Sequence, residues 1–355
     1  MKKTIVLVDH SFHQKTKSSV FLKEILKEEF LIKEIWDNSW KGEKPVTADE
    51  INSFNPDIVI YWQVIGKPSE MKKIKTKNII WFPMEGESER KNFKWLNYKK
   101  LGLKIICFSK VNFDKSSKVG LDSLYVQYFP KPQNQNLIKD YSGLKIIFWQ
   151  RRKEINWQTV KEIIADQKVE KIYFRNISDP FMINLPIPSK EDIEKYNITI
   201  SDKWLSFEEL EELFFQYNIF FAPRLYEGIG MAFLEAMSKG LAVVAPNTST
   251  HNEYIINGFN GYLYDFKNPK KIDFSNLKEI GENSFKTSLE GYQKWQNSIG
   301  EIINFINKEP EKKFLTKSEL LEVSIGNIFL NPFLEFKIIL KNLAKKFLLK
   351  ATKDK

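Results

Sequence analysis

The chain has 355 residues, of which 42% are hydrophobic, and a formal net charge of +10. That length suffices for two α/β domains with sizeable cores. A single cysteine, Cys107, excludes a disulfide framework and suits a cytosolic protein; three histidines leave little for a zinc site.

The elements follow in order. The start, MKKTIVLVDHS, has too few apolar residues for a signal peptide and suits a first strand, Thr4 to Val8. No apolar run of about 18 residues exists, so no membrane-spanning helix is expected. Asp9 to Ser19 reads as a polar loop, Val20 to Glu29 as an amphipathic helix and Phe30 to Trp36 as a strand. Strands are expected at Asp57 to Trp62, Asn78 to Phe82, Leu103 to Phe108 and Leu124 to Phe129, with a helix over Ser109 to Val119. The stretch Pro130 to Asn136 has linker composition. A second set follows: strand Leu144 to Gln150, helix Trp157 to Asp166, strand Glu170 to Phe174 and helix Phe207 to Gln216. This alternation predicts an α/β chain with parallel sheets. The expected divisions are 1–135, 136–310 and a basic amphipathic tail, 311–355.

The most informative stretch is Phe220 to Tyr264. Asn218 to Ala222 is a short apolar strand, Arg224 to Gly230 a loop with two glycines, and Met231 to Lys239 a helix stopped at Gly240. Leu241 to Ala245 is the next strand. The helix reads MAFLEAM, apolar almost all round except for Glu235. A buried lone carboxylate costs several kcal/mol unless something pairs with it, so Glu235 is expected to meet a ligand. Glu227 sits eight positions earlier, ahead of Gly228, Ile229 and Gly230, where glycines allow close backbone approach. Both carboxylates would face one site at the C-terminal end of a parallel strand.

On these residues the chain resembles a known family. Pro223-Arg224-x-x-Glu227-Gly228-x-Gly230, Leu234-Glu235-Ala236-Met237-x-x-Gly240, Val243-Val244-Ala245, Glu253 and Asn260-Gly261-Tyr262-Leu263 are similar to the nucleotide-sugar signature of the group 1 (retaining, GT-B fold) glycosyltransferases. The resemblance covers about 45 residues. It implies two Rossmann-like domains facing across a cleft, a donor nucleotide held by the second domain, an acceptor held by the first, and a final helix, at Lys270 to Lys308 or in the tail, that crosses back onto the first.

The resemblance also implies roles. Glu235 would hold the ribose diol and Glu227 the region of the sugar. Arg151, Arg152 and Lys153 follow a strand directly and would neutralise the leaving diphosphate, although the family's glycine nearby is missing. Ser249, Thr250 and Glu253 would face the same cleft, where capping of a helix by Thr250 is the competing use. Arg224 belongs to the donor set. On the acceptor side stand His10, Lys17 and Ser18, in a loop without the family's glycines; Glu85 and Glu87 are given no role. No Asp-x-Asp motif occurs, so a metal-independent enzyme without a cofactor is expected, its nucleotide sugar being a substrate.

The tail at 332–350, PFLEFKIILKNLAKKFLLK, places Phe336, Leu340, Leu343 and Phe347 on one helical face and Lys337, Lys341 and Lys345 on another. It could lie on an anionic membrane, which would put the protein at the inner face of the cell membrane, or pack on a domain. Aromatic residues are not interleaved with a basic patch, so nucleic acid is not expected as a partner. The expected activity is sugar transfer to a glycan or lipid-linked hydroxyl, plausibly for a surface polysaccharide. Its rivals are a nucleotide-sugar epimerase of the same fold and a non-catalytic sugar-binding scaffold.

Overall fold

The structure, a computed structural model, describes residues 2–84, 91–132, 139–180, 182, 185–311 and 313–330. Glu85, Glu87 and the 332–350 tail singled out above lie outside the described residues, as does part of the linker stretch. The chain divides into two compact units, Met1–Val126 with Asn297–Lys355, and Gln127–Gln296.

The first unit holds strands β1 (Thr4–His10), β2 (Leu31–Asp37), β3 (Ile58–Trp62), β4 (Ile79–Phe82), β5 (Lys104–Cys107) and β6 (Asp122–Tyr125). They form one parallel sheet in the order β2-β1-β3-β4-β5-β6. β3 (IVIYW) and β4 (IIWF) are buried at every position. Such unbroken apolar runs suit a sheet covered on both faces, which is why they were readable without alternation.

The second unit repeats the plan. Its strands are β7 (Leu144–Trp149), β8 (Val169–Arg175), β9 (Ile198–Ser201), β10 (Ile219–Phe221), β11 (Ala242–Pro246) and β12 (Gly261–Tyr264). All pair in parallel, in the order β12-β11-β10-β7-β8-β9. The chain starts at β7 in the middle, works outward to β9, then returns to β10 on the other side of β7. The order therefore reverses between β7 and β10, and loops leaving those two C-terminal ends flank a crevice of the kind where open α/β sheets bind ligands.

Several sequence expectations need correction. β1 runs on to His10 and the polar loop after it holds a helical turn, His13–Thr16. The strand expected at Leu124 to Phe129 is Asp122–Tyr125. It stops early because the Gln127 side chain donates to the Glu253 carbonyl (2.9 Å) and the Tyr128 N–H to the Tyr254 hydroxyl (3.2 Å), so the chain there serves the second unit. The helix after β10 ends at Met237, two residues before the expected Lys239. β9 was not anticipated, whereas the 31-residue helix Leu277–Asn307 falls inside the stretch Lys270 to Lys308, one of the two places where the resemblance put a final helix.

That long helix ends in the first unit on a buried cation. Lys104 of β5 is fully buried, and its Nζ donates to the carbonyls of Phe305 (2.7 Å), Ile306 (3.2 Å) and Lys308 (2.5 Å). These are carbonyls of the helix's last turn and just beyond, which have no partner within the helix, and a cation there also suits the helix dipole. Burial draws the ammonium down to a pKa of about 8 despite the nearby Asp122. Lys104→Met should therefore fit the space yet leave three carbonyls without a donor. We expect a loss of about 2–3 kcal/mol in urea denaturation at pH 7, whereas a loss below about 0.5 kcal/mol would show the contact to be incidental.

Candidate functional site

Every donor-side residue singled out from sequence lies in the second unit, at or near the C-terminal ends of its strands. Arg151 and Arg152 leave β7, Arg224 leaves β10, and the three converge on one carboxylate. Asp179, 6% exposed at its side chain, accepts from Arg151 Nε (2.7 Å), Arg152 Nε (2.8 Å) and Arg224 Nη2 (2.6 Å). The Asp179 N–H also donates to the Arg151 carbonyl (3.0 Å), which fixes the loop after β8 against the loop after β7. Burial alone would raise the Asp179 pKa, but Arg224, Arg151 and Arg152 together outweigh it and hold the group below its ordinary value. The stability this adds is fully present above the ordinary carboxylate range and is lost as the pH falls through the lowered value.

Among the described residues, three guanidiniums converge on this one aspartate at the reversal point of the sheet. Glu227 lies near it: its carboxylate is 3.7 Å from Arg224 Nη1 and 9% exposed at its side chain. At that distance the pair is an electrostatic neighbour rather than a tight hydrogen bond. Taken by themselves, the three arginines, Asp179 and Glu227 sum to one positive charge. Lys153, grouped with the arginines from sequence, instead lies exposed, and among the described residues no ion pair holds its ammonium.

The loop between β10 and the helix Met231–Met237 is held by hydroxyls from the loop after β11. Thr248 Oγ1 donates to the Leu225 carbonyl, and Thr250 Oγ1 to the Glu227 carbonyl (2.6 Å). Since the Thr248 proton is spent on Leu225, its contact with His251 Nδ1 (3.2 Å) makes that nitrogen the protonated one. Burial lowers the His251 pKa to about 3, so the ring is neutral and its Nε2 lone pair is buried without a partner. Thr250 has φ +74° and ψ −56°, a backbone state that costs a β-branched residue about 1–3 kcal/mol. Its N–H donates to Glu253 Oε1 (2.9 Å). Thr250 and Glu253 thus make contacts that shape the loop, and Ser249 stands beside them half-buried. Gly228 and Ile229 are buried, and Gly230 has φ +82°; a Cβ there would lie 1.9 Å from the Phe233 ring.

Glu235 differs from all of these. No hydrogen bond or ion pair reaches its carboxylate among the described residues. Lys239, one turn further along and the natural partner, is bonded to Glu211 instead. The residue keeps some solvent contact, yet its carboxyl sits where desolvation dominates. Burial and then the Glu211 charge raise its pKa to about 7, against the opposing pull of Lys239 and Arg175.

The acceptor-side residues lie in the first unit, around the C-terminal end of β1. Asp9 is fully buried and accepts from His13 Nδ1 (2.6 Å) and Ser19 Oγ (2.5 Å). His10 stacks on Trp40 at 5.1 Å, its Nδ1 accepting the Phe12 N–H. Ser18 bonds Thr16 (2.9 Å), and Lys17 is exposed with φ +58°.

Sequence reasoning missed Asp179, Thr248 and Arg175. A usable signal existed. Of 55 basic lysine and arginine side chains only five are arginine, and four of those, Arg151, Arg152, Arg175 and Arg224, stand at the C-terminal edge of one sheet. A lysine-rich chain that keeps arginine for one edge is using its planar, multi-donor geometry there.

The two parallel six-stranded sheets are those of a GT-B glycosyltransferase fold. Residues 188–275, which include β9 to β12, match the family of the glycosyl transferases group 1, so the signature read from sequence and the family of this segment agree. The sucrose-phosphate synthase of Thermosynechococcus elongatus has a similar structure (TM-score 0.61, 11% identity, 85% of this chain and 98% of that one). So does Anabaena HepE in complex with UDP and glucose (TM-score 0.55, 9% identity, 85% and 99%). At these identities the likeness is one of fold. Among curated proteins, the 6-phospho-beta-glucosidase GmuD of Bacillus subtilis is 31% identical over 91 residues, 23% of this chain and 20% of that one. An uncharacterized 41.2 kDa protein in the cps region of Klebsiella pneumoniae is 30% identical over 82 residues, 23% of each. The chain thus spans less than a quarter of the length of these two relatives.

Removing the charge at the centre of the arginine cluster tests its construction. Asp179→Asn should leave three half-buried guanidiniums repelling one another and cost about 3 kcal/mol by chemical denaturation at pH 7. Added pyrophosphate should restore part of that loss by mass action. A variant as stable as the parent would mean that the arginines are held by other contacts.

Proposed function

We propose that the protein is a retaining glycosyltransferase that moves a sugar from a nucleotide-diphosphate donor to a hydroxyl of a glycan or lipid-linked acceptor. The observation that carries this reading is the Glu235 carboxylate, inside the family-matched segment and without a partner among the described residues, in the same unit as three arginines that converge on Asp179. A carboxylate suits a vicinal diol, since two adjacent hydroxyls can each donate to one of its oxygens. A guanidinium cluster suits a diphosphate, whose leaving-group charge grows in the transition state. Both belong to one unit and to the crevice edge of one sheet, as an elongated nucleotide requires.

In this reading Arg151, Arg152 and Arg224 stabilise the departing diphosphate, with Asp179 holding them in place beforehand. Lys153, free to swing from the surface, adds a fourth cation when the donor is bound. Glu227, beside Arg224, faces the sugar. The loop carrying Gly228, Ile229 and Gly230 is set by Thr248 and Thr250, and Ser249 supplies a hydroxyl. His10, Lys17 and Ser18 serve the acceptor. Among the described residues no group of three or more His, Cys, Asp or Glu side chains could hold a metal ion. The chemistry proposed here uses cationic side chains for the leaving group and assigns no step to a metal.

A surface polysaccharide as the product is supported by the match with a protein of a cps region, and a nucleotide sugar as donor by the similar structure of Anabaena HepE in complex with UDP-glucose. Among the described residues no helix is long and apolar enough to cross a membrane. The basic tail is proposed to bring the enzyme to a lipid-linked acceptor at an anionic membrane surface.

Incubation with nucleotide sugars, with and without acceptor, tests the reading. Transfer with the donor's anomeric configuration kept, read by NMR, is the expected outcome. Formation of an epimer from donor alone would instead establish the epimerase. Glu227→Gln should lower kcat at least about tenfold with a small change in stability; an unchanged kcat would remove Glu227 from the mechanism. Donor affinity should rise between pH 6 and 8 as Glu235 ionises through its raised pKa of about 7, and calorimetry with Glu235→Gln should show that dependence flattened. A parent affinity that is flat over the same range would contradict the role given to Glu235.

A further inference from the structure

Arg175 is the arginine at this edge that the diphosphate cluster does not use. It closes β8 and is 5% exposed, and its Nε is buried with no hydrogen-bond partner. Among the described residues no carboxylate forms an ion pair with it. What surrounds it instead is aromatic: its guanidinium lies 4.2 Å from the ring centroid of Trp149 and 5.3 Å from that of Trp204. The two indoles stand edge to face, 6.4 Å apart at 85°.

The cage is built rather than incidental. Trp149 is fixed by its indole N–H on the Ile177 carbonyl (2.6 Å), and the Gln150 N–H on the Arg175 carbonyl (2.9 Å) ties the ends of β7 and β8 together. Trp204 sits just ahead of Ser206, whose capping box with Glu209 fixes the start of the helix Phe207–Gln216. Trp204 is itself only half-buried, so part of it remains open to a ligand. On Trp149 rests a second guanidinium, that of Arg151 at 4.4 Å, which belongs to the Asp179 cluster. One indole therefore separates the cationic cluster from Arg175. The charge of Glu235 also reaches Arg175, favouring its protonated form against the cost of burial.

A desolvated guanidinium with a spare donor, beside the partly open indole of Trp204, matches a flat heterocycle with acceptors on its edge. Arginine offers five donors and no acceptor, so it favours a carbonyl-bearing edge, such as guanine O6 with N7 or a uracil carbonyl. It gains less from adenine, whose exocyclic group is a donor. Base stacking on an aromatic face adds binding without choosing between bases. We propose that Arg175, held in place by Trp149, and Trp204 form the base-reading site of the donor nucleotide, and that the site selects a keto base, guanine or uracil, over adenine. The proposal rests on the reading that Glu235 holds the ribose, since the base is then one glycosidic bond away.

Titration calorimetry and thermal shift of the full chain with GDP, UDP and ADP test it. GDP or UDP should bind at least about tenfold more tightly than ADP. Arg175→Gln, after its unliganded melting temperature has shown it folded, should weaken the preferred nucleotide about tenfold and leave ADP nearly unchanged. Trp204→Ala should weaken all three. ADP binding as tightly as the others in the parent protein, a measurement that needs no variant, would overturn the base assignment while leaving the donor site intact. Failure of all three to bind would overturn the donor-site reading itself.

Discussion

Asp179 with its three arginines is the interaction on which the rest of the site depends. Guanidiniums brought together from β7 and β10 would repel one another in a half-buried crevice, and a single carboxylate with little exposure makes their convergence tolerable. It fixes the three planar groups in one geometry, with Glu227 as a more distant neighbour of Arg224. A lysine cluster of equal charge would lack the planar, two-point contacts that let one aspartate serve three partners.

Glu235 is the opposite case. Among the described residues the desolvated Glu235 carboxylate has no partner, although Lys239 is one turn away and could have been directed to it. A side chain selected for stability alone would be paired or apolar. Keeping it bare lowers the stability of the unliganded fold and makes sense where a ligand completes it. The strained backbone at Thr250 belongs to the same pattern, since that backbone state places a hydroxyl on the Glu227 carbonyl and so fixes the loop from which Glu227 projects.

Much of this was legible in the sequence, for physical reasons. Strands β3, β4, β7, β10 and β11 are apolar at nearly every position because both faces of a parallel sheet are covered, and such runs are visible without a partner. Glu235 stood out as a lone charge in an apolar helix, and Glu227 through its glycines. β9 escaped because ITIS is short and half polar. The long helix Leu277–Asn307 was indicated by the resemblance and not by its own periodicity, because Gly281, Gly291 and Gly300 interrupt its pattern. Two of those glycines sit where a Cβ would strike Tyr141 or Phe129, so tertiary packing explains them and local propensity does not. Asp179 and Arg175 carry no periodic signal. They become meaningful only when the sheet order brings the ends of β7, β8 and β10 to one edge, and the scarcity of arginine was the one hint available beforehand.

The central claim is that the Glu235 carboxylate is kept unpaired for a ligand's hydroxyls. Its most direct test compares Glu235→Gln with the parent by chemical denaturation at pH 8 and by nucleoside-diphosphate binding at the same pH. A carboxyl with pKa raised to about 7 is penalised in the folded state wherever it is ionised, so its stability penalty grows as pH rises from the ordinary carboxylate range through that value. The account predicts a variant more stable than the parent by on the order of 2 kcal/mol that binds the nucleotide at least about tenfold more weakly. A variant that is less stable, or that binds as well as the parent, would contradict it.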